Sequence, residues 1–239
     1  TPHCKFGEEG ICCRICTMGP CRITKKAPRG ICGCDVHGIV GRNYLKFTAG
    51  GAATHSDHGR EICHTLYEAS ADGCYKVKDP EKLIRIAKEW GMETEGKDIY
   101  ELAHEVALEG LMEYGKPFGT QRFLKRAPES QQKLWEENEL APHAIDREVS
   151  RSLHMAHMGC SSKPEALVKQ SIRAGLSDGW GGSMMGTEFS DILFGTPKPI
   201  ETEANLGVMV EENVNIVVHG HDPSLSEMIC EVADSPEMI

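Results

Sequence analysis

The most informative feature of the sequence is a group of seven cysteines in its first 34 residues, out of eleven in the whole chain. They stand at Cys4, Cys12, Cys13, Cys16, Cys21, Cys32 and Cys34. Thiolates spaced this closely are typical of metal binding, and four of them hold one [4Fe–4S] cluster. The group therefore predicts an iron–sulfur segment with more than one cluster, or with one cluster and a share in another.

Four of these cysteines form the best ligand set for a single cubane. They are Cys13, Cys16, Cys21 and Cys32. The first two can come from one tight turn, and Gly19-Pro20 turns the chain again before the third. A zinc site is the alternative, although zinc favours two Cys-x2-Cys turns and this segment has only one. Disulfides are the third alternative.

The remaining cysteines of the group suggest a second site. Cys12 and Cys13 are adjacent, so their side chains diverge and should not serve the same cubane. Cys4 and Cys12 are then two spare thiolates, and a two-fold axis would supply two more from a second subunit. We expect a cluster shared between the subunits of a homodimer; a pair of reduced structural cysteines is the alternative. Cys34 is interpreted as a bystander.

A row of titratable side chains follows the cysteines. His55, His58 and His64 lie at i, i+3 and i+9, with Glu61 at i+6. On a helix, steps of three form a diagonal file that covers ~13 Å of the axis. Histidine exchanges protons near neutral pH, so the file could relay protons; a solvated polar face is the alternative. A carboxyl at Glu61 is a poorer shuttle near pH 7 unless burial raises its pKa.

The elements that must position these residues are mainly helical. Periodicity and capping predict helices from 39 to about 71, from Asp79-Pro80, from Asp98 to 114 and from Pro164 to 176. The Gly-rich run 179–186 lacks a phosphate-loop lysine, so we expect close backbone packing there. A strand at 214–218, a loop with His219 and His221, and a helix from Ser224 then predict the opening of an α/β domain.

Composition limits the classes of function. The 239 residues carry a net charge of −10, which argues against nucleic-acid binding. No stretch is apolar enough to span a membrane, and no export leader is visible, so we expect a reducing cytoplasm that keeps thiolates available. Because a lone strand has no sheet to join, we also expect the sequence to be the N-terminal part of a longer chain.

Five motifs together resemble the anaerobic nickel–iron carbon monoxide dehydrogenases. They are CKFGEEGICCRICTMGPCRI, GICGCDVHGIVGRN, GGAATHSDHGRE, DGWGGSMMGTEFSDILFGTPKP and VNIVVHGHDPSLSEMI. The resemblance implies reversible oxidation of CO with water to CO2, two protons and two electrons at a Ni–Fe–S centre, the C-cluster. It implies a homodimer of helical and Rossmann-like domains and a ferredoxin-like electron carrier, and it leaves open whether an acetyl-CoA synthase is bound.

The expected fold is therefore a mainly α N-terminal domain with Cys-rich iron–sulfur loops, followed by the start of an α/β Rossmann-like domain. Its segments are a Cys-rich part at 1–38, a helical domain at 39–205 and the α/β start at 206–239.

The resemblance also implies roles for individual residues. The [4Fe–4S] B-cluster of each subunit would be held by Cys13, Cys16, Cys21 and Cys32. The shared D-cluster would be held by Cys4 and Cys12 from each subunit. His221 matches the histidine that binds iron in the C-cluster, with His219 as the alternative. His55, His58 and His64 match the family's proton path, in which Glu61 stands where relatives carry a further histidine.

Two rival functions remain at the level of sequence. A hybrid-cluster-type reductase of nitrogen compounds shares a Cys-rich start, and an electron-transfer module would carry clusters without a catalytic metal. The adjacent pair Cys12-Cys13 and the block HSDHG at 55–59 argue against the hybrid-cluster reductase. The electron-transfer module is distinguished by the rest of the protein, because a dehydrogenase requires further cysteine ligands for its C-cluster in a longer chain.

Overall fold

The computed structural model describes residues 1–72, 75–198, 211–212, 228–229 and 231–232, and this part of the chain is mainly helical. The helices are α1 (Lys5–Glu8), α2 (Val36–Asp72), α3 (Pro80–Glu89), α4 (Ile99–Gly115), α5 (Glu129–Glu137), α6 (Ile145–Ala156), α7 (Pro164–Ser177) and α8 (Met184–Phe194). The strands β1 (Cys12–Cys13) and β2 (Cys21–Arg22) form an antiparallel ribbon. A 3₁₀ turn at Arg122–Arg126 and a π-helical turn at Asp178–Ser183 complete the elements.

Helix α2 is the element around which the others pack. It contacts α4, α6, α7 and α8, and it buries Leu45, Cys63 and Leu66 completely. The predicted helix from 39 to about 71 is confirmed, with three more residues at its start. Gly50 and Gly51 do not interrupt it, and nothing in the described structure approaches the positions where their Cβ atoms would be.

The largest hydrophobic core lies where α2, α3, α4 and α8 meet. Phe189 of α8 is fully buried there, and Trp90 packs between it and Phe123 with ring centroids 6.1 and 5.3 Å away. This core lies beside the middle and C-terminal part of α2. It therefore holds the helix that carries the histidine row.

Local capping explains the helix starts that the sequence predicts. Asp79 accepts a hydrogen bond from the backbone N–H of Lys82 at 2.9 Å, and Pro80 occupies the first turn of α3. Asp98 caps α4 in the same way through Tyr100, at 3.0 Å. The starts predicted for α3, α4 and α7 are confirmed, whereas α5, α6 and α8 were not predicted as separate helices.

The predicted α/β start lies almost wholly outside the described residues. That includes the strand at 214–218, His219, His221 and the capping box from Ser224. The division into three segments accordingly stays a prediction. None of the helices in the described ranges is long and apolar enough to cross a membrane.

Glycines allow α2 and the π-helical turn to cross in close contact. A Cβ on Gly59 would lie 2.6 Å from the carbonyl oxygen of Gly182 and 2.6 Å from the hydroxyl of Tyr114. A Cβ on Gly182 would lie 2.6 Å from the backbone nitrogen of Ser56. The prediction of close backbone packing in the Gly-rich run is therefore confirmed.

We expect Gly59→Ala to destabilise the protein by about 1–3 kcal/mol, since the added methyl overlaps backbone atoms that cannot move independently. The measurement is thermal unfolding of the full protein under anaerobic conditions. Gly51→Ala is the matched control on the same helix, and it should cost nothing or gain up to about 1 kcal/mol of stability. Equal unfolding midpoints for the two variants would contradict the close crossing.

Candidate metal centre and histidine row

The first 34 residues wrap around a cavity lined by thiols. Its cysteines are Cys13, Cys16, Cys21, Cys32 and Cys34. Apolar walls come from Ile15, Ile31 and Ile39, and Met158 closes the cavity from the loop between α6 and α7. The structure thus brings the four cysteines predicted for the cubane to one place. Cys34, which was interpreted as a bystander, lines the same cavity.

The β-ribbon separates the two adjacent cysteines. Cys13 pairs with Cys21 across the ribbon, and both line the cavity. Cys12 pairs with Arg22 instead and is not among the residues lining the cavity. Successive side chains of a strand point to opposite faces, which is the divergence expected from the sequence. The side chain of Asn43 fixes this strand to α2 through the carbonyl oxygens of Gly10 and Cys12, both at 3.1 Å.

Cys4 lies apart from the cavity, exposed at the start of α1. The backbone N–H groups of Gly7 and Phe6 point to its sulfur and lower the pKa of the thiol. An exposed cysteine whose thiol pKa is lowered is suited to a site completed from outside the chain. The sharing of a cluster through Cys4 and Cys12 stays a prediction.

Arg42 is a charged residue in the wall of the cavity. It is 2% exposed, and its Nη1 donates a hydrogen bond to the sulfur of Cys32 at 3.4 Å. Burial acts to raise the pKa of Cys32, but the N–H of Cys34 and the Arg42 guanidinium outweigh it, so the pKa is lowered. Burial raises the pKa of Cys34. Cys32 is thus the better thiolate of the two, in agreement with the predicted ligand set.

The donor set of the cavity fits an iron–sulfur cluster. Thiolates are the ligands that hold such clusters, and the cavity brings five cysteine side chains together beside three isoleucines. Within residues 1–72 and 75–198, no three cysteine, histidine or carboxylate side chains converge on one point to hold a single metal ion.

The histidine row lies along the exposed side of α2. His55, His58, Glu61 and His64 are all exposed in the described structure. Their order along the helix is the predicted diagonal file, and none of them contributes to the core. A solvated polar face would show the same exposure. The proton relay therefore stays a prediction.

One contact distinguishes His55 from an ordinary surface histidine. Its Nδ1 lies 2.6 Å from the carboxylate oxygen Oδ1 of Asp178, at the first position of the π-helical turn. A carboxylate on one ring nitrogen fixes the tautomer and the ring orientation, leaving Nε2 free to accept a proton. The carbonyl of His55 also packs against Gly182 of the same turn. The π-helical turn therefore positions both the backbone and the ring.

A polar network beneath the row ties α2 to α6. Arg60 donates to Asp146 at 2.6 Å, and Ser56 donates to the same oxygen at 2.9 Å. The guanidinium of Arg60 also lies 4.9 Å from the ring centroid of Tyr114. Nearby, burial raises the pKa of Cys63 to about 12, so this thiol stays neutral and structural. The network joins α2 to α6 at a partly exposed edge, since the side chains of Arg60 and Asp146 are 31% and 42% exposed.

Sequence reasoning missed Asp178, Arg42 and Asp146. Asp178 is 123 residues from its histidine, and Arg42 is 119 residues from Ser161, its other partner. No short-range spacing connects such pairs. The only signal was that Asp178 opens the Gly-rich run and that Arg42 stands in the motif that follows Cys32.

Comparison with known proteins gives a consistent result. A model of the Prismane/CO dehydrogenase family matches residues 11–239. Carbon monoxide dehydrogenase 1 of Methanosarcina acetivorans is 46% identical over 243 residues, which is 100% of this chain and 39% of that protein. Carbon monoxide dehydrogenase 1 of Carboxydothermus hydrogenoformans is 44% identical over 97% of this chain and 38% of its own length. The chain thus spans about two fifths of the length of these relatives.

Solved structures show the same likeness. A Ni-free carbon monoxide dehydrogenase from Thermococcus sp. AM4 superposes with a TM-score of 0.87 at 48% identity, over 99% of this chain and 38% of that one. A second structure is an acetyl-CoA synthase/carbon monoxide dehydrogenase described with NiZn[Fe4S4] and NiNi[Fe4S4] clusters in its alpha subunits. It superposes with a TM-score of 0.84 at 41% identity, over 97% of this chain and 36% of that one.

We expect Cys16→Ala to lower the iron content of the anaerobically purified protein by about four atoms per chain, because the cubane loses one of its four thiolates. Cys34→Ala is the matched control in the same cavity and should leave the iron content unchanged. Iron analysis by mass spectrometry checks both. Equal iron loss in the two variants would make Cys34 a ligand and overturn the predicted set.

Proposed function

The chain belongs to the Prismane/CO dehydrogenase family, and from this premise we propose that the protein is an anaerobic nickel–iron carbon monoxide dehydrogenase. The proposed reaction is the reversible oxidation of CO with water to CO2, two protons and two electrons. When bound, the Ni–Fe–S centre would activate CO and water, and the [4Fe–4S] clusters would carry single electrons. The observation that supports this most directly is the cavity lined by Cys13, Cys16, Cys21 and Cys32.

The thiols of the first segment would hold the electron relay. The four cavity cysteines would bind one [4Fe–4S] cluster in each subunit. Cys4 and Cys12 would bind a second cluster together with the same residues of a partner subunit, which accounts for the exposure of Cys4 and for the exclusion of Cys12 from the cavity wall. His221, with His219 as the alternative, would supply an iron ligand from the Rossmann-like part of the chain. A symmetric homodimer follows from the shared cluster.

The histidine row would move protons between the reacting centre and solvent. With the Asp178 carboxylate on Nδ1, His55 would present Nε2 as the atom that accepts a proton. Further proton acceptors would follow at intervals of three residues along the helix, at His58, Glu61 and His64. The order along α2 gives the direction of the proposed relay.

The proposed partners are a ferredoxin-like electron carrier and, by likeness to the bifunctional relatives, an acetyl-CoA synthase. Relatives from Moorella thermoacetica and among solved structures are named as such complexes. A reducing cytoplasm would keep the seven clustered cysteines available as ligands. The hybrid-cluster and pure electron-transfer alternatives are not favoured, because the relatives compared above are carbon monoxide dehydrogenases.

The experiment that tests the function combines metal analysis with an assay of CO-dependent viologen reduction on the full protein, prepared anaerobically. We expect nickel together with about ten or more irons per subunit, and CO-dependent activity. Iron without nickel, and no activity after reductive nickel loading, would refute the proposal and favour one of the two alternatives.

We expect Asp178→Asn to lower the rate of CO oxidation about 10- to 100-fold, because an amide no longer holds His55 in the tautomer with a free Nε2. Asp57→Asn is the control, since Asp57 is an exposed carboxylate on the same helix. Rates are compared at equal nickel and iron content. An unchanged rate in Asp178→Asn would mean that the contact with His55 has no part in proton transfer.

A further inference from the structure

The buried guanidinium of Arg42 has no carboxylate to balance its charge within the part of the chain that the structure describes. Its hydrogen-bond partners there are the carbonyl oxygen of Ser161, 2.7 Å from Nε, and the sulfur of Cys32, 3.4 Å from Nη1. Burying an unpaired charge is costly, so a positive side chain that is 2% exposed requires a negative neighbour. The geometry places Nη1 of Arg42 against the sulfur of Cys32, in the wall of the cavity where a cluster with its thiolates would supply negative charge.

The position of Arg42 on α2 explains how the charge reaches the cavity. Ile39 and Arg42 are one helical step apart, so they lie on the same face of α2, and both line the cavity. Gly38 makes room for this end of the helix: a Cβ there would lie 2.5 Å from the sulfur of Cys34 and 2.8 Å from the carbonyl oxygen of Ser162. The sequence therefore places one apolar residue and one cation against the thiols.

This position requires a guanidinium group that is held in one orientation. Nε is anchored on the 157–163 loop through Ser161, and the same loop contributes Met158 to the cavity wall. With Nε held, the planar guanidinium directs Nη1 to the sulfur of Cys32. A lysine has a single nitrogen and cannot hold both contacts with this geometry.

A cluster in this cavity gains one negative charge when it is reduced. A cation held against one of its sulfur ligands stabilises the reduced form more than the oxidised form, and hydrogen bonds to the sulfurs act in the same direction. We infer that Arg42 is a positioning residue that raises the reduction potential of the [4Fe–4S] cluster held by Cys13, Cys16, Cys21 and Cys32. The inference rests on the proposed function, in that it requires a cluster at these cysteines.

Other positive charges of the segment do not share this role. Lys25, Lys26 and Arg29 are all exposed, where water and salt screen them. Arg29 donates to the carbonyl oxygen of Gly33 at 2.8 Å, a contact within the loop. Arg42 is buried, and a charge interacts more strongly in the protein interior than at the surface.

The experiment is a redox titration of the full protein, followed by the electron paramagnetic resonance signal of the reduced cluster. For Arg42→Gln we expect the ratio of reduced to oxidised cluster at a fixed potential to fall about tenfold, which is 59 mV for a one-electron couple. For Arg42→Lys the ratio should fall by less, because the positive charge remains while the paired N–H groups of the guanidinium are lost. Lys26→Gln removes one exposed charge from the same segment and should change the ratio less than about twofold.

A midpoint in Arg42→Gln equal to that of the wild type, at full iron content, would overturn the inference, as would an equal shift in Lys26→Gln. If the Arg42→Gln variant loses iron, the Arg42→Lys variant provides the test, because lysine keeps the charge but loses the geometry of the two contacts. A midpoint potential below that of the wild type then supports the role of Arg42, and an unchanged midpoint potential overturns it. Failure of the proposed function is a separate result, since the wild type would then show no [4Fe–4S] signal to titrate.

Discussion

One continuous helix fixes the geometry of both parts of the candidate site. Helix α2 carries Arg42 at its cysteine end and begins its histidine row at His55, thirteen residues further along, which is about 20 Å of helix axis. A helix of this length with two glycines in its middle is stable only through packing along its sides. The contacts of α4, α6, α7 and α8 supply that packing. The rest of the described fold is therefore best understood as the support of this helix.

Local chemistry made part of the fold predictable. Asp79-Pro80 and Asp98 mark helix starts because a capping carboxylate acts within three residues, and the structure has both caps. The diverging cysteines follow from the period of a strand, and the ribbon shows it. Helices α5, α6 and α8 lacked such separate boundaries in the sequence. Helix α8 in particular continues the π-helical turn at Met184 without a break in the chain.

The sequence indicated which cysteines lie together, but not the residues that surround them. Cysteine spacing identified the thiols that line one cavity, because short loops must bring them together. Asp178 contacts His55 across 123 positions of the sequence, and Arg42 is held by Ser161 across 119 positions. Only the packing of α2 against the π-helical turn and the 157–163 loop creates these contacts. The sequence also could not show that positions 59 and 182 must be glycine. A Cβ atom is excluded at these positions only because the two backbones cross there.

The most direct measurement is anomalous diffraction at the iron edge from anaerobically grown crystals of the full protein. We expect one iron cluster in the cavity of each subunit, bound by Cys13, Cys16, Cys21 and Cys32, with the Arg42 guanidinium against the Cys32 sulfur. We also expect a second cluster on a two-fold axis beside Cys4 and Cys12. A cavity without iron, or one that holds a single zinc ion, would contradict this expectation.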